Sequence, residues 1–145
     1  MSRSALARIR KPFRALACTF VPEAVDLSAA QWEEGEALVE RMLSARPGSV
    51  RLQVTWLVRA LDGIALLRRG KRLSSMPPGV RTQLLESLQS SRLLLLRRGI
   101  WGLRTLAFLA YYGRQEGRTA VGYRASPGGW ADREDCGGSR PVRSP

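Results

Sequence analysis

The sequence predicts an all-α protein, a small bundle of four to six helices followed by a disordered C-terminal tail. Apolar residues recur three and four positions apart through most of the 145-residue chain, which is the spacing of one helix face. No segment sustains the apolar–polar alternation of a half-buried strand. We assign residues 1–123 to the helical domain and residues 124–145, rich in Gly, Pro, Ser and Arg, to a flexible tail.

The first two predicted helices are amphipathic and are bounded by proline and serine. Residues 12–21 form the first helix, since Pro12 suits an opening turn and Pro22 cannot continue a helix. Ser28 is the expected N-cap of the second helix, which extends to about Ser44. We expect its glutamates to face solvent and its apolar residues to face inward, namely Trp32, Val39, Met42 and Leu43.

The third predicted helix begins at Ser49, its expected N-cap, and ends near Arg69, where Gly70 closes it. Five apolar residues at three- and four-residue spacing form its inner seam: Val50, Val54, Leu57, Leu61 and Ile64. The basic cluster at residues 68–72 could contact phosphates or acidic side chains. We favour the simpler explanation that these cations complement the negative end of the helix dipole and face solvent.

Two further helices and a short helical segment complete the predicted bundle. A short helix runs from Pro78 to about Gln89, and the last long helix spans roughly residues 91–112. A short helical segment covers residues 115–121. The inner stripe of the last long helix comprises Leu93, Leu96, Ile100, Leu103, Ala107 and Ala110.

The chain is strongly basic, with 24 Lys and Arg against 12 Asp and Glu and a formal net charge of +12. Six acids concentrate in residues 23–40, whereas residues 44–124 hold fifteen bases and three acids. Most of this excess charge must face water or an acidic partner. Since 22 of the 24 bases are arginine, which a GC-rich genome favours, the charge alone is weak support for nucleic-acid binding.

No catalytic constellation is present in the sequence. The chain has no histidine, no CxxC pair and no Gly-rich phosphate loop. Its two cysteines, Cys18 in an apolar helical pattern and Cys136 in the tail, are too few for a disulfide framework. We therefore expect this chain to hold no catalytic residue, no metal and no cofactor, and not to be an enzyme on its own.

The most apolar window, residues 93–112, is a poor membrane span. It contains Arg97, Arg98 and Arg104, and each would cost about 2.5–3.5 kcal/mol near the centre of a bilayer. The N-terminus lacks the uninterrupted apolar segment of an export signal. We expect no transmembrane helix and a protein that is cytoplasmic or peripheral to the membrane, with contact to a membrane surface left open.

One side of the last long helix is the candidate site. Projection at 100° per residue gathers there Arg97, Trp101, Arg104, Phe108 and Tyr111. Arginines can stack on such rings, and this residue mixture is enriched at interface hot spots, so we predict a partner interface here that also includes Tyr112 and Tyr123. Two other interpretations stay open. In the first, the aromatic residues belong to the core and the arginines extend to solvent. In the second, this side of the helix binds an anionic membrane surface or nucleic acid.

Two segments of the chain carry a resemblance to a known family. Residues 12–23, PFRALACTFVPE, are similar to an L-x-A-L-x-x-T-(F/I)-(I/V)-P opening, and residues 81–113 with AVGY at 120–123 resemble a later helical segment that ends in Tyr-Tyr and Gly-Tyr. The family is that of the gluconate 2-dehydrogenase subunit 3-like proteins, small subunits that accompany flavin dehydrogenases. A similar segment precedes the catalytic part of long-chain alcohol oxidases. The resemblance covers about residues 12–123, although Gln115-Glu116 stands where the family has Pro-Glu.

The resemblance implies a role in an oxidoreductase complex. In that family the small helical subunit carries no catalytic residues, and its partner is a large flavoprotein of the glucose–methanol–choline (GMC) type. That partner would hold FAD and oxidise an alcohol or sugar by hydride transfer, while this chain would stabilise, chaperone or dock it. The alternative from the residues alone is a basic helical adaptor for an anionic membrane surface or nucleic acid, with nucleic acid the less favoured ligand.

Overall fold

Six α-helices and two 3₁₀ turns form the described part of the chain, residues 6–120 and Gly122 of a computed structural model. The helices are α1 (Arg10–Phe20), α2 (Ala29–Ser44), α3 (Gly48–Arg69), α4 (Pro78–Gln89), α5 (Leu94–Tyr112) and α6 (Gln115–Ala120). The 3₁₀ turns are Pro22–Asp26 and Leu73–Ser75. Within the described residues there is no strand, so the predicted all-α bundle is confirmed. The predicted tail at residues 124–145 lies outside the described residues.

Several helix boundaries follow from local sequence signals, as predicted. Ser28 and Gln31 form a reciprocal capping box, in which the Gln31 N–H donates to Ser28 Oγ at 3.3 Å and the Ser28 N–H donates to Gln31 Oε1 at 2.9 Å. Gly70 ends α3 with φ of +67°, a left-handed conformation that glycine adopts without steric cost. Pro78 occupies the first position of α4, where its missing N–H is not needed.

Three predicted helix starts are wrong, and hydrogen bonding shows why. α1 begins at Arg10 rather than at Pro12, and the carbonyl of Ile9 accepts from the Phe13 N–H at 2.9 Å. Ser49 does not cap α3, because the carbonyl of Pro47 accepts from the Val50 N–H at 3.0 Å and the helix begins at Gly48. The last long helix does not begin near residue 91, because Ser91 still donates to Leu88 at 3.2 Å in the final turn of α4. α5 therefore starts at Leu94.

Helix α5 is the centre of the bundle and contacts each of the other five helices. Two glycines let its neighbours approach closely: a Cβ on Gly35 of α2 would meet the Ala110 carbonyl, and one on Gly99 of α5 would meet the Leu57 side chain. The main core draws on the first five helices and includes Phe13, Leu16, Val39, Leu43, Val58, Leu61, Leu84, Ile100 and Leu103. The predicted inner seam of α3 packs against this core.

The placement of Glu36 corrects the prediction that the glutamates of α2 face outward. Its side chain is buried, only 5% exposed, and receives the guanidinium groups of two residues of α1. Arg14 Nε donates to Glu36 Oε1 at 2.5 Å, and Arg10 Nε lies 2.9 Å from Glu36 Oε2. A buried carboxylate requires such compensation, so part of the acidic charge of α2 is neutralised inside the molecule.

A smaller core cluster supports one end of α5. It contains Trp32 of α2 together with Ala17, Val21, Ala24 and Ala107. The partly buried rings of Phe108 and Tyr111 pack against it. This cluster therefore fixes the inner edge of the aromatic side of α5.

Candidate functional site

The outward side of α5 is a surface of aromatic and cationic side chains. We call it the α5 outer face and define it by Arg97, Trp101, Arg104, Phe108 and Tyr112. The opposite side of the same helix carries the buried residues Ile100, Leu103, Leu106, Ala107 and Ala110. Trp101 is 66% exposed and Tyr112 is 38% exposed. Helix α5 thus presents large apolar groups both to the core and to solvent.

Arg104 links the rings of the α5 outer face. Its guanidinium carbon lies 5.9 Å from the ring centroid of Trp101 and 5.2 Å from that of Phe108, within the range of cation–π attraction. The ring of Tyr112 meets Phe108 edge-on at 6.0 Å between centroids and meets Tyr111 at 4.9 Å. Each exposed cation–π contact favours this arrangement of the rings by about 0.5–1 kcal/mol.

The predicted interface residues occupy different depths. Trp101, Arg97, Arg104 and Tyr112 are exposed, so the alternative that Trp101 is a core residue is wrong. Phe108 and Tyr111 are half-buried against the smaller core cluster, and for them that alternative holds in part.

Arg97 does not join the stacked set. Arg97 is exposed, and within the described part of the chain it makes no ring contact, unlike Arg104. Tyr123 lies outside the described residues.

Arg114 fastens the tyrosine end of this face. It is 3% exposed, its Nε donates to the Tyr111 carbonyl at 3.1 Å, and its guanidinium carbon lies 5.1 Å from the Tyr111 ring centroid. Glu116 of α6 lies 3.6 Å from Arg114 Nη1 and accepts from Gln31 Nε2 of α2. Helices α2, α5 and α6 are thereby joined by side-chain bonds behind the two tyrosines.

An apolar groove borders α5 on the side that faces α2 and α3. Its volume is about 370 Å³ and its lining includes Met42, Val50, Val54, Leu57, Leu103 and Leu106. Gly102 of α5 leaves open space where a Cβ would stand, whereas the Leu57 side chain already packs against Gly99. Helix periodicity reports the positions of large apolar residues, so an opening beside Gly102 leaves no signal in the sequence.

A leucine turn lies at the start of α5. Leu93, Leu94 and Leu95 are 66%, 56% and 85% exposed. Leu93 was predicted to point into the core, which is wrong because it precedes the first turn of α5. Arg92 and Arg98 are exposed beside the leucines, so the turn is apolar at its tip and cationic around it.

The Cys18 thiol of α1 is half-buried. Burial raises the pKa of the Cys18 thiol above its ordinary value of 9.0, although the nearby Arg81 and Arg14 guanidiniums act in the opposite direction. A half-buried thiol of this kind stays protonated at neutral pH and is a weak nucleophile. Among residues 6–120 and Gly122, no group of three His, Cys, Asp or Glu residues could hold a metal ion, and no helix has the length and apolar character to cross a bilayer.

Comparison with protein-family models, with curated proteins and with solved structures finds no match to this chain.

Proposed function

We propose that this chain is a non-catalytic accessory subunit that binds a partner protein through the α5 outer face. The observation that carries the proposal is the exposure of Trp101 beside the Arg104 guanidinium on a helix whose other side contributes buried residues to the core. Removing a large aromatic side chain from water contributes about 1.5–3 kcal/mol, and a ring held in place before binding loses little conformational entropy. Tryptophan, tyrosine and arginine are also the residues that dominate binding energy at protein interfaces.

The chemistry of the α5 outer face indicates what kind of partner surface would fit. Helix α5 contains Arg97, Arg98 and Arg104 and no acidic residue. A complementary surface would offer an apolar pocket for the indole, surrounded by carboxylates that pair with these guanidiniums. The adjoining groove between α2, α3 and α5 would accept an apolar side chain from the same partner.

The resemblance of residues 12–23 and 81–113 to the gluconate 2-dehydrogenase subunit 3-like proteins supports a more specific partner. On that basis the partner is a GMC-type flavoprotein that holds FAD and carries all the catalytic groups. This chain would stabilise and orient it, contributing surface and no reacting atoms. The lack of histidine in the chain agrees with that division of labour.

Co-expression tests this proposal. The chain, carrying an affinity tag, is produced with the GMC-type flavoprotein encoded nearest to it in the same genome, and the purified material is examined for a flavin absorbance spectrum. We expect the flavoprotein to co-purify with the tagged chain and the chain alone to be colourless and inactive. The proposal would be rejected if the chain were a soluble monomer that does not bind the flavoprotein. It would also be rejected if the chain alone carried a yellow chromophore.

The leucine turn supports a second candidate, an adaptor that contacts an anionic membrane surface. Leu94 and Leu95 would enter the interfacial region while Arg92, Arg97 and Arg98 meet lipid headgroups. Sedimentation with vesicles that contain phosphatidylglycerol tests this role, with a Leu94→Gln/Leu95→Gln variant as the comparison. This candidate would be excluded if the parent did not bind the vesicles at low salt, or if the parent and the variant bound them equally.

A further inference from the structure

A basic cleft lies between the N-terminal end of α1, the middle of α3 and the connector that follows α3. Its volume is about 700 Å³, within the range of about 300–1,000 Å³ that small-molecule sites occupy. Five cationic residues line it, with Asp62 as the one acid of the lining: Arg8, Arg10, Lys11, Arg59 and Arg72. None of these residues belongs to the α5 outer face.

The positive charges of the basic cleft are only partly balanced. Arg10 pairs with Glu36 at 2.9 Å, and Arg72 Nη1 lies 3.9 Å from Asp62 Oδ2. Arg8, Lys11 and Arg59 have no ion pair among the described residues of the chain. Three uncompensated cations around one concavity repel one another, and an anion bound between them relieves that repulsion.

Asp62 holds in place the wall of the basic cleft that the connector after α3 forms. Asp62 Oδ1 accepts from the Leu73 N–H at 2.9 Å, which fixes the 3₁₀ turn that carries Ser74. The Ser74 hydroxyl lines the cleft and can donate to a bound oxyanion. Asp62 therefore acts as a positioning residue for the cleft wall, and Arg72 partly offsets its negative charge.

We propose that the basic cleft binds a ligand through a phosphate or diphosphate group. Guanidinium groups match phosphate oxygens with paired hydrogen bonds, and the lining supplies four arginines, a lysine and a hydroxyl. A diphosphate carries two to three negative charges at neutral pH, which balances Arg8, Lys11 and Arg59. The size of the cleft leaves room for the group to which the phosphate is attached.

Titration calorimetry with inorganic pyrophosphate in low-salt buffer tests the proposal on the full chain. The test variant is Lys11→Gln/Arg59→Gln, and the matched control is Arg68→Gln/Arg69→Gln, which removes the same charge from exposed positions at the end of α3. We expect the parent protein to bind, the test variant to bind at least about 10-fold more weakly, and the control to stay within about 2-fold. Absence of binding by the parent, or equal weakening in both variants, overturns the proposal.

A second experiment, with lipid vesicles, distinguishes a lipid headgroup from a free phosphate compound as the ligand of the cleft. Binding to phosphatidylglycerol vesicles that pyrophosphate displaces, and that Lys11→Gln/Arg59→Gln weakens, supports a headgroup as the ligand. Vesicle binding that neither pyrophosphate nor the Lys11→Gln/Arg59→Gln substitutions weaken would exclude a lipid headgroup as the ligand of this cleft. Trp101→Ala is expected to leave pyrophosphate binding unchanged, so failure of the cleft and failure of the partner interface are separate results.

Discussion

The Nε atom of Arg14 donates a 2.5 Å hydrogen bond to Oε1 of the buried Glu36. The same guanidinium lies 5.2 Å from the ring centroid of Trp32, which belongs to the smaller core cluster. That cluster supports Phe108 and Tyr111 from behind. A charge pair between α1 and α2 therefore stands directly behind the aromatic side of α5.

Replacement of Glu36 by Ala is expected to destabilise the fold by about 2–3 kcal/mol, because it leaves Arg10 and Arg14 without their shared carboxylate. Urea unfolding followed by circular dichroism measures the change. Glu33→Ala on the exposed side of α2 is the control and should cost less than about 0.5 kcal/mol. If both variants lost the same small amount of unfolding free energy, the ion pairs of Glu36 with Arg10 and Arg14 would contribute nothing to stability.

The two glycines Gly35 and Gly63 should respond oppositely to alanine. A Cβ at Gly35 would collide with the backbone carbonyl of Ala110 and push α2 away from α5, at a cost of about 1–3 kcal/mol. A Cβ at Gly63 meets nothing, so the gain in helix propensity should stabilise the protein by up to about 1 kcal/mol. Melting temperatures of the two variants test the opposite signs, and a fall in both would contradict the packing described for α2.

Trp101→Ala should weaken partner binding by about 2 kcal/mol or more, roughly 30-fold, with little change in the stability of the isolated chain. The reason is that the indole is exposed before binding and would be buried after it. Calorimetry or surface plasmon resonance against the flavoprotein measures the affinity, and a thermal melt measures the stability.

Trp56→Ala on α3 is the matched control for Trp101, since the two indoles are 63% and 66% exposed. We expect the control to bind the partner as the parent does. Phe108→Ala is expected to reduce both affinity and stability, because this ring is half-buried. Similar affinities for the Trp101 and Trp56 variants would exclude the α5 outer face as the interface.

Alkaline pH should destabilise the parent more than a Cys18→Ala variant. Burial raises the pKa of the Cys18 thiol in the folded state, so the folded chain holds this proton more tightly than the unfolded chain does. The resulting stability is present below the ordinary thiol pKa of 9.0 and is lost as pH rises through the higher folded-state pKa. Urea unfolding at pH 8 and above pH 9 measures the difference between the two proteins, and parallel curves would show that the thiol is not linked to folding.

Features that depend on neighbouring residues could be predicted from the sequence. The capping box of Ser28 and Gln31, the glycine end of α3 and the proline start of α4 each involve a few adjacent positions. The predicted start of α5 near residue 91 is wrong, because the N–H of Ser91 is used by the last turn of α4. A competing hydrogen bond of the preceding helix is not visible in a periodicity pattern.

The candidate site was predictable only along α5. Helical spacing correctly placed Trp101, Arg104 and Phe108 beside one another. The basic cleft was not predictable, because Lys11 and Arg59 are far apart in sequence and meet only when α1 crosses α3. The burial of Glu36 likewise depends on a partner from another helix.

Helix α5 contacts each of the other five helices. A protein bound to the α5 outer face would therefore also restrain the helix against which the other five pack. A molecule synthesised without its binding companion would open more often and meet cellular proteases more readily than one in complex. If the proposed partner exists, degradation of the unbound chain would make the abundance of this polypeptide follow that of the partner.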